Sequence, residues 1–218
     1  MRSTAGARGR RRDPPRSPPP RVGSRTTHVP APSLSPESAR VCHGPCRFGG
    51  GTVTIRFALN GAPAEAEVRA DEMLLDVLRR DFGLASVRET CGIGVCGSCT
   101  VLVGGEPISS CLLLAPLVDG CEVTTIEGLG GEHPVQRAFS EAHAFQCGYC
   151  TPGMILTAKA LLDESPSPTD GEIRLALAGN LCRCGCYLKI IEAVKAVASY
   201  RSPGLSPDSP DGALTWRP

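Results

Sequence analysis

The sequence predicts an α+β protein in two successive parts, the first rich in strands and the second helical. Three observations carry this. Apolar residues alternate with a period of two over Thr52–Leu59, and follow a helical period from Pro134 onward. Hairpin signals such as Asn60-Gly61 and Gly104-Gly105 punctuate the first part, whereas helix-opening prolines and a capping box punctuate the second. Eight of the twelve cysteines gather once in each part: Cys91, Cys96, Cys99 and Cys111, then Cys147, Cys150, Cys182 and Cys184.

In Thr52–Leu59, Val53, Ile55 and Phe57 share one face, as a half-buried strand requires. After the Asn60-Gly61 turn, Glu65–Arg69 resumes as a second strand. Asp71 is placed to cap a helix running to Arg80, with Leu74, Leu75 and Leu78 inward and Gly83 as its stop. Beyond the first cysteines, Cys99–Val103, Pro107–Leu114 and Glu122–Ile126 read as three further strands. Pro134 opens the first helix of the second part, with Val135, Ala138, Phe139 and Ala142 as its stripe. Thr151-Pro152 opens the next, with Ile155, Ala158 and Leu162 inward. Thr169 and Glu172 form a capping box for a third, ending near Gly179. Tyr187–Ser199, with Ile190, Ile191, Val194 and Val197 inward, makes the fourth.

The divisions follow: an Arg- and Pro-rich tail over 1–50, a strand-rich domain over 51–128, a four-helix domain over 132–200, and a second tail over 201–218. Both tails are too polar or proline-rich to offset the entropy of ordering and are expected to be disordered. Arg10–Arg12 resemble a twin-arginine export signal, but no hydrophobic stretch follows them. Cys42 and Cys46 flank His43 in the first tail without a partner pair, so they are not assigned as ligands.

Net charge conceals an asymmetry. The chain is formally +1, yet residues 1–50 hold ten Arg against Asp13 and Glu37, net +8, leaving the remainder at −7. An acidic folded part argues against nucleic-acid binding. No apolar run approaches the ~20 residues of a membrane helix. Thiolates reserved for a metal fit a reducing cytoplasm.

Cys91-x4-Cys96-x2-Cys99 with a distant fourth cysteine is the plant-type [2Fe–2S] spacing. A short loop must wrap the cluster and turn peptide N–H groups toward sulfur; Gly92, Gly94 and Gly97 supply the backbone angles. Zinc sites favour paired x2 spacings, which the x4-x2 triplet does not match. The second group is less decisive. Cys147-x2-Cys150 and Cys182-x-Cys184 lie at two helix–helix junctions facing one another, and on spacing alone this set suits either a second iron–sulfur cluster or zinc. Cys186 continues the alternation and is read as a spare thiol, while Cys121 is read as a small core residue. His133 and His143 are read as structural. No acid–base pair or nucleophile constellation is present, so no catalytic residue is assigned.

Together these segments resemble the small iron–sulfur subunit of the molybdenum hydroxylases, the xanthine oxidase family that includes aerobic carbon monoxide dehydrogenase. The likeness runs from Val53 to about Tyr200 and rests on LLDVLR, CGIGVCGSCTVLVGGEPISSCL, HPVQRAF, QCGYCTPGMI and PTDGEIRLALAGNLCRC. It implies a β-grasp, plant-type ferredoxin-like domain followed by a four-helix domain, each holding a [2Fe–2S] cluster. It further implies electron transfer within an oxidoreductase complex, from a molybdopterin cofactor in a large partner subunit to FAD in a medium one. Electrons would enter at Cys147/Cys150/Cys182/Cys184 and leave from Cys91/Cys96/Cys99/Cys111. By the same resemblance Gln146 and the backbone at Cys184 would contact the pterin. One departure stands out: the family usually continues its last CRC with Thr-Gly-Tyr, and this chain has Gly185-Cys186-Tyr187. Were φ positive at 186, a cysteine there would be strained. A free-standing ferredoxin-type shuttle is the alternative function, and a zinc-stabilised interaction module a third.

Overall fold

In the computed structural model, which describes residues 51–201, a five-stranded sheet and its helix lead into four further α-helices. The readings made for residues 1–50 and 202–218, including Cys42 and Cys46, lie outside the described residues. The strands are β1 (Thr52–Leu59), β2 (Ala62–Arg69), β3 (Thr100–Val103), β4 (Glu106–Ser109) and β5 (Glu122–Thr124), with α1 (Leu74–Arg80) between β2 and β3. Their order across the sheet is β2-β1-β5-β3-β4. β1 runs parallel to β5 at its centre, and the remaining pairs are antiparallel. Asn60 and Gly61 close the first hairpin with φ of 53° and 79°, the two positive values of a type I′ turn.

The period-two pattern sorts the sheet as expected. Ile55 and Phe57 are buried beneath α1, whose Leu74, Leu75, Val77 and Leu78 complete that core with Val68, Val101 and Val123. Two readings need correcting. Asp71 does not cap α1; the helix starts at Leu74, and the N-cap residue Met73 makes no side-chain cap bond. Asp71 instead accepts a hydrogen bond from Arg69 Nε at 2.9 Å. The neighbouring Glu72 is buried, accepts the Arg69 N–H at 3.0 Å and pairs with Arg80. The predicted strand Pro107–Leu114 also shortens to Glu106–Ser109. Leu112 N–H turns back to the Ser109 carbonyl at 3.0 Å, and a turn follows in which Cys111 faces the core.

The later helices are α2 (Pro134–Glu141), α3 (Thr151–Glu164), α4 (Asp170–Ala176) and α5 (Tyr187–Arg201). The Thr169–Glu172 capping box is present, with Glu172 N–H donating to Thr169 Oγ1 at 3.3 Å and Thr169 N–H to Glu172 Oε2 at 2.7 Å. A second one opens α2: His133 Nδ1 accepts the Val135 N–H at 3.3 Å, and Gln136 Oε1 accepts the His133 N–H at 3.2 Å. Val135, Phe139, Met154, Leu162, Ile173, Ile190 and Val194 form the common core of these helices. Among the described residues, no helix is long and apolar enough to cross a membrane.

Candidate metal centres and the contact between them

Cys91, Cys96 and Cys99 lie on the loop between α1 and β3, and Cys111 follows β4, so one end of the sheet brings all four together. The Cys91 thiol is influenced by Cys96, and the Cys111 thiol by Cys99 and Cys91. The loop is wound tightly, with Gly92, Gly94 and Gly97 at φ of 65°, 71° and 66°. A Cβ on Gly94 would stand 2.3 Å from Leu112 Cδ1, so the left-handed angle and the close approach both require glycine there. The winding turns peptide N–H groups onto sulfur. Those of Ile93, Cys96 and Val95 reach Cys91 and draw its thiol down to about 6. Burial pushes the Cys111 thiol up to about 11, aided by contact with Cys99 and opposed by the Gly94 N–H.

Between α2 and α3, Cys147 and Cys150 face Cys182 and Cys184, which precede α5. Here the thiols influence one another across the two junctions, Cys147 through Cys184 and Cys182, and Cys150 through Cys182 and Cys147. The Tyr149 N–H, with the Cys184 contact second, lowers the Cys147 thiol. Burial pushes Cys150 up to about 12. Burial also opposes ionisation of Cys182, but the N–H of Cys186, the Cys150 thiol and the N–H groups of Cys184 and Gly185 outweigh it, and its value is lowered. Gln146, next to Cys147, is exposed.

Four thiols per group, each group supplied with N–H donors, suit a diiron cluster: each iron needs two thiolates, and sulfur-directed N–H groups stabilise their charge. Among the described residues, no three His, Cys, Asp or Glu side chains converge as a single metal ion would need.

Cys186 is buried in the helical core. Its backbone is unstrained, because Gly185 takes the positive φ, at 77°, and the non-glycine residues with positive φ among those described are Asn60 and His143. The departure from Thr-Gly-Tyr therefore does not distort the turn. Cys121 is buried in the core of the sheet, as read from the sequence. His133 caps α2, and the structure thus gives it the structural part expected.

The two cysteine groups meet through a short set of contacts. Leu181 N–H donates to the Cys96 carbonyl at 2.9 Å, joining a residue of the first group to the one before Cys182. Asn180, buried, donates from Nδ2 to the Gly97 carbonyl at 3.1 Å and accepts from Thr157 Oγ1 at 3.1 Å. Gly153 of α3 lies so near that an added Cβ would stand 2.2 Å from the Gly97 oxygen. Arg88 donates to the Gly148 carbonyl at 3.0 Å and lies 4.6 Å over the Tyr149 ring, whose hydroxyl donates to Glu89 O at 3.2 Å. Sequence reasoning passed over Asn180, Gly153, Arg88 and Tyr149, since each bond spans 23 to 83 residues. The one available signal was an asparagine and a glycine beside the cysteine motifs.

Comparison with known proteins agrees with this architecture. Residues 57–123 match the 2Fe-2S iron-sulfur cluster binding domain, and residues 125–195 the [2Fe-2S] binding domain. The chain is 51% identical over 146 residues to the nicotinate dehydrogenase small FeS subunit of Eubacterium barkeri, covering 66% of this chain and 93% of that protein. It is 41% identical over 162 residues to the aldehyde oxidoreductase iron-sulfur-binding subunit of Escherichia coli, covering 66% and 71%. Among solved structures, quinoline 2-oxidoreductase from Pseudomonas putida superposes with a TM-score of 0.66 at 42% identity, over 71% of this chain and 99% of that one. The chain belongs to the family of iron–sulfur small subunits of the molybdenum hydroxylases. It carries two [2Fe–2S]-binding domains and its part is electron transfer within an oxidoreductase.

Proposed function

We propose that the chain takes electrons from a molybdopterin centre in a large partner subunit and delivers them to FAD in a medium one. In this reading Cys91, Cys96, Cys99 and Cys111 hold one [2Fe–2S] cluster in a β-grasp domain, within residues 51–128. Cys147, Cys150, Cys182 and Cys184 hold the other in a four-helix domain, within residues 132–200. Each cluster, when bound, supplies a one-electron carrier. The protein's own residues do the rest: thiolates bind and N–H groups offset their charge.

The observation that carries the reading is the bond from Leu181 N–H to the Cys96 carbonyl, 2.9 Å long. It leaves one hydrogen bond and a few covalent bonds between a cysteine of each group. Entry at the Cys147 end fits the exposure of Cys147 and Gln146; Gln146 and the backbone at Cys184 would face the pterin. Exit at the other end fits Ile93, Val95 and Leu112, exposed apolar residues around the first group that suit a subunit contact. A cytoplasmic setting follows from thiolates reserved for iron.

Purification of the native protein with whatever polypeptides accompany it tests this. The expected result is a brown complex with about four iron atoms per chain, molybdenum and flavin in the accompanying polypeptides, and two distinguishable electron paramagnetic resonance (EPR) signals on reduction. A colourless chain with stoichiometric zinc overturns it. Full redox activity in the chain purified alone would favour the ferredoxin-type shuttle.

A further inference from the structure

The bond from Leu181 N–H to the Cys96 carbonyl joins the two cysteine groups through backbone atoms. The Leu181 side chain does not hold it in place, because that side chain is exposed. The residue before it is different. Asn180 is 4% exposed, and its amide reaches in two directions. Nδ2 donates to the Gly97 carbonyl at 3.1 Å, and Oδ1 accepts from Thr157 Oγ1 at 3.1 Å. Gly97 lies between Cys96 and Cys99, and Thr157 lies on α3, which begins directly after Cys150. Asn180 itself precedes Leu181 and Cys182. There its N–H donates to the Leu177 carbonyl at 3.0 Å, and its carbonyl accepts from the Tyr187 hydroxyl at 3.3 Å. One amide therefore ties the first group's loop to both stretches that carry the second group.

The surroundings are shaped for that amide. The Gly97 carbonyl also accepts from Thr100 Oγ1 at 2.8 Å, so the receiving oxygen is fixed within its own part of the chain. A Cβ at Gly97 would stand 2.4 Å from Asn180 Nδ2, and one at Gly153 would stand 2.2 Å from the Gly97 oxygen. Two glycines, one on each side, admit the contact. The contact needs a donor and an acceptor on one short side chain, which asparagine has and an apolar residue of like size lacks. We propose that Asn180 is a positioning residue for the passage of an electron from the second group's cluster to the first's, which oxidises one and reduces the other. Its amide sets the separation of the two groups by keeping Leu181 N–H on the Cys96 carbonyl. Asn180 acts through that backbone bond and touches no thiol. The inference rests on the reading that both groups hold [2Fe–2S] clusters.

Two unpaired spins held close together split each other's EPR lines, so the splitting in the fully reduced, intact complex reads their separation. Three variants test the inference. Asn180→Leu keeps the approximate shape and removes both side-chain bonds; it is expected to retain both signals with the splitting narrowed or lost. Thr157→Val removes only the hydroxyl that orients the amide, and should narrow the splitting less. Thr157→Ser keeps that hydroxyl and should leave the splitting as it is. An unchanged splitting in Asn180→Leu, even with a lowered unfolding midpoint, overturns the inference by making Asn180 merely structural. Equal narrowing in Thr157→Val and Thr157→Ser overturns it too, by pointing to packing. Should Asn180→Leu fail to fold, the contrast between the two Thr157 variants decides alone. Two signals without splitting in the unaltered complex overturn the inference and leave the cluster reading standing. A single signal there removes the cluster reading itself, and the inference with it.

Discussion

The two cysteine groups solve one chemical problem by opposite means. The first is gathered within 21 residues, 91–111, by a loop whose glycines wind the backbone around a point. The second comes from two helix junctions, 147–150 and 182–184, whose thiols face one another across the gap between them. A loop that supplies its own N–H donors stays close to its final form when its surroundings loosen. A site built from two junctions depends on the packing of every helix that holds them. Three cysteines of the first group are a property of one loop, with Cys111 brought to it by the sheet, and the second group is a property of a core.

The largest expected effect separates the two groups outright. Cys99→Ser and Cys150→Ser should each remove about half of the iron and a different one of two EPR signals. Loss of both signals in either variant would mean that the groups do not assemble independently. Next is the seam between them. Gly153→Ala places a Cβ against the Gly97 carbonyl, and an overpacked contact with backbone on the far side should cost about 3 kcal/mol. Chemical denaturation measures that cost. Because Gly97 belongs to the first loop, the first group's EPR signal should shift although the substitution is in α3.

A smaller effect is expected at Glu72, which anchors the strand-rich part. Its burial would raise the carboxyl, but the Arg69 N–H and Arg80 outweigh that and hold it below the ordinary carboxylate value. Glu72→Ala removes the acceptor of the Arg69 N–H and one of the two carboxylates on Arg80, which keeps Asp81, for a loss of about 2 kcal/mol. A depressed folded value means the contribution is present above the ordinary carboxylate range and fades as pH falls through the folded value. The cost of Glu72→Ala should therefore shrink in acid, and a pH series of unfolding midpoints reads it. The smallest effect is at the α4 cap, where Thr169→Ala should cost about 1 kcal/mol. It should change neither EPR signal, since α4 contributes no cysteine. A shift in the second signal would show that helix packing reaches that site even from α4.

The strands and helices were largely legible from periodicity, since burying one face is a local requirement repeated along the chain. The exceptions are instructive. Asp71 had the right residue type for a cap and went to Arg69 instead, a competition between two nearby partners that spacing does not decide. The return strand ended at Ser109 because the chain must turn to present Cys111. His133 was legible as structural but not as a cap, because histidine is an uncommon one.

The sequence by itself determined that two thiolate groups exist, and for the first group it determined the chemistry, because a wrapped loop encodes its ligand in its own spacing. Tertiary structure alone decided that the two junctions of the second group face one another and that Cys186 takes no strain. It also decided that Leu181 and Asn180 bind the first group's loop to the second. Those contacts join residues up to 85 positions apart. Nothing local specifies them; they exist because polar groups buried in a packed core, such as the Asn180 amide, must find partners there.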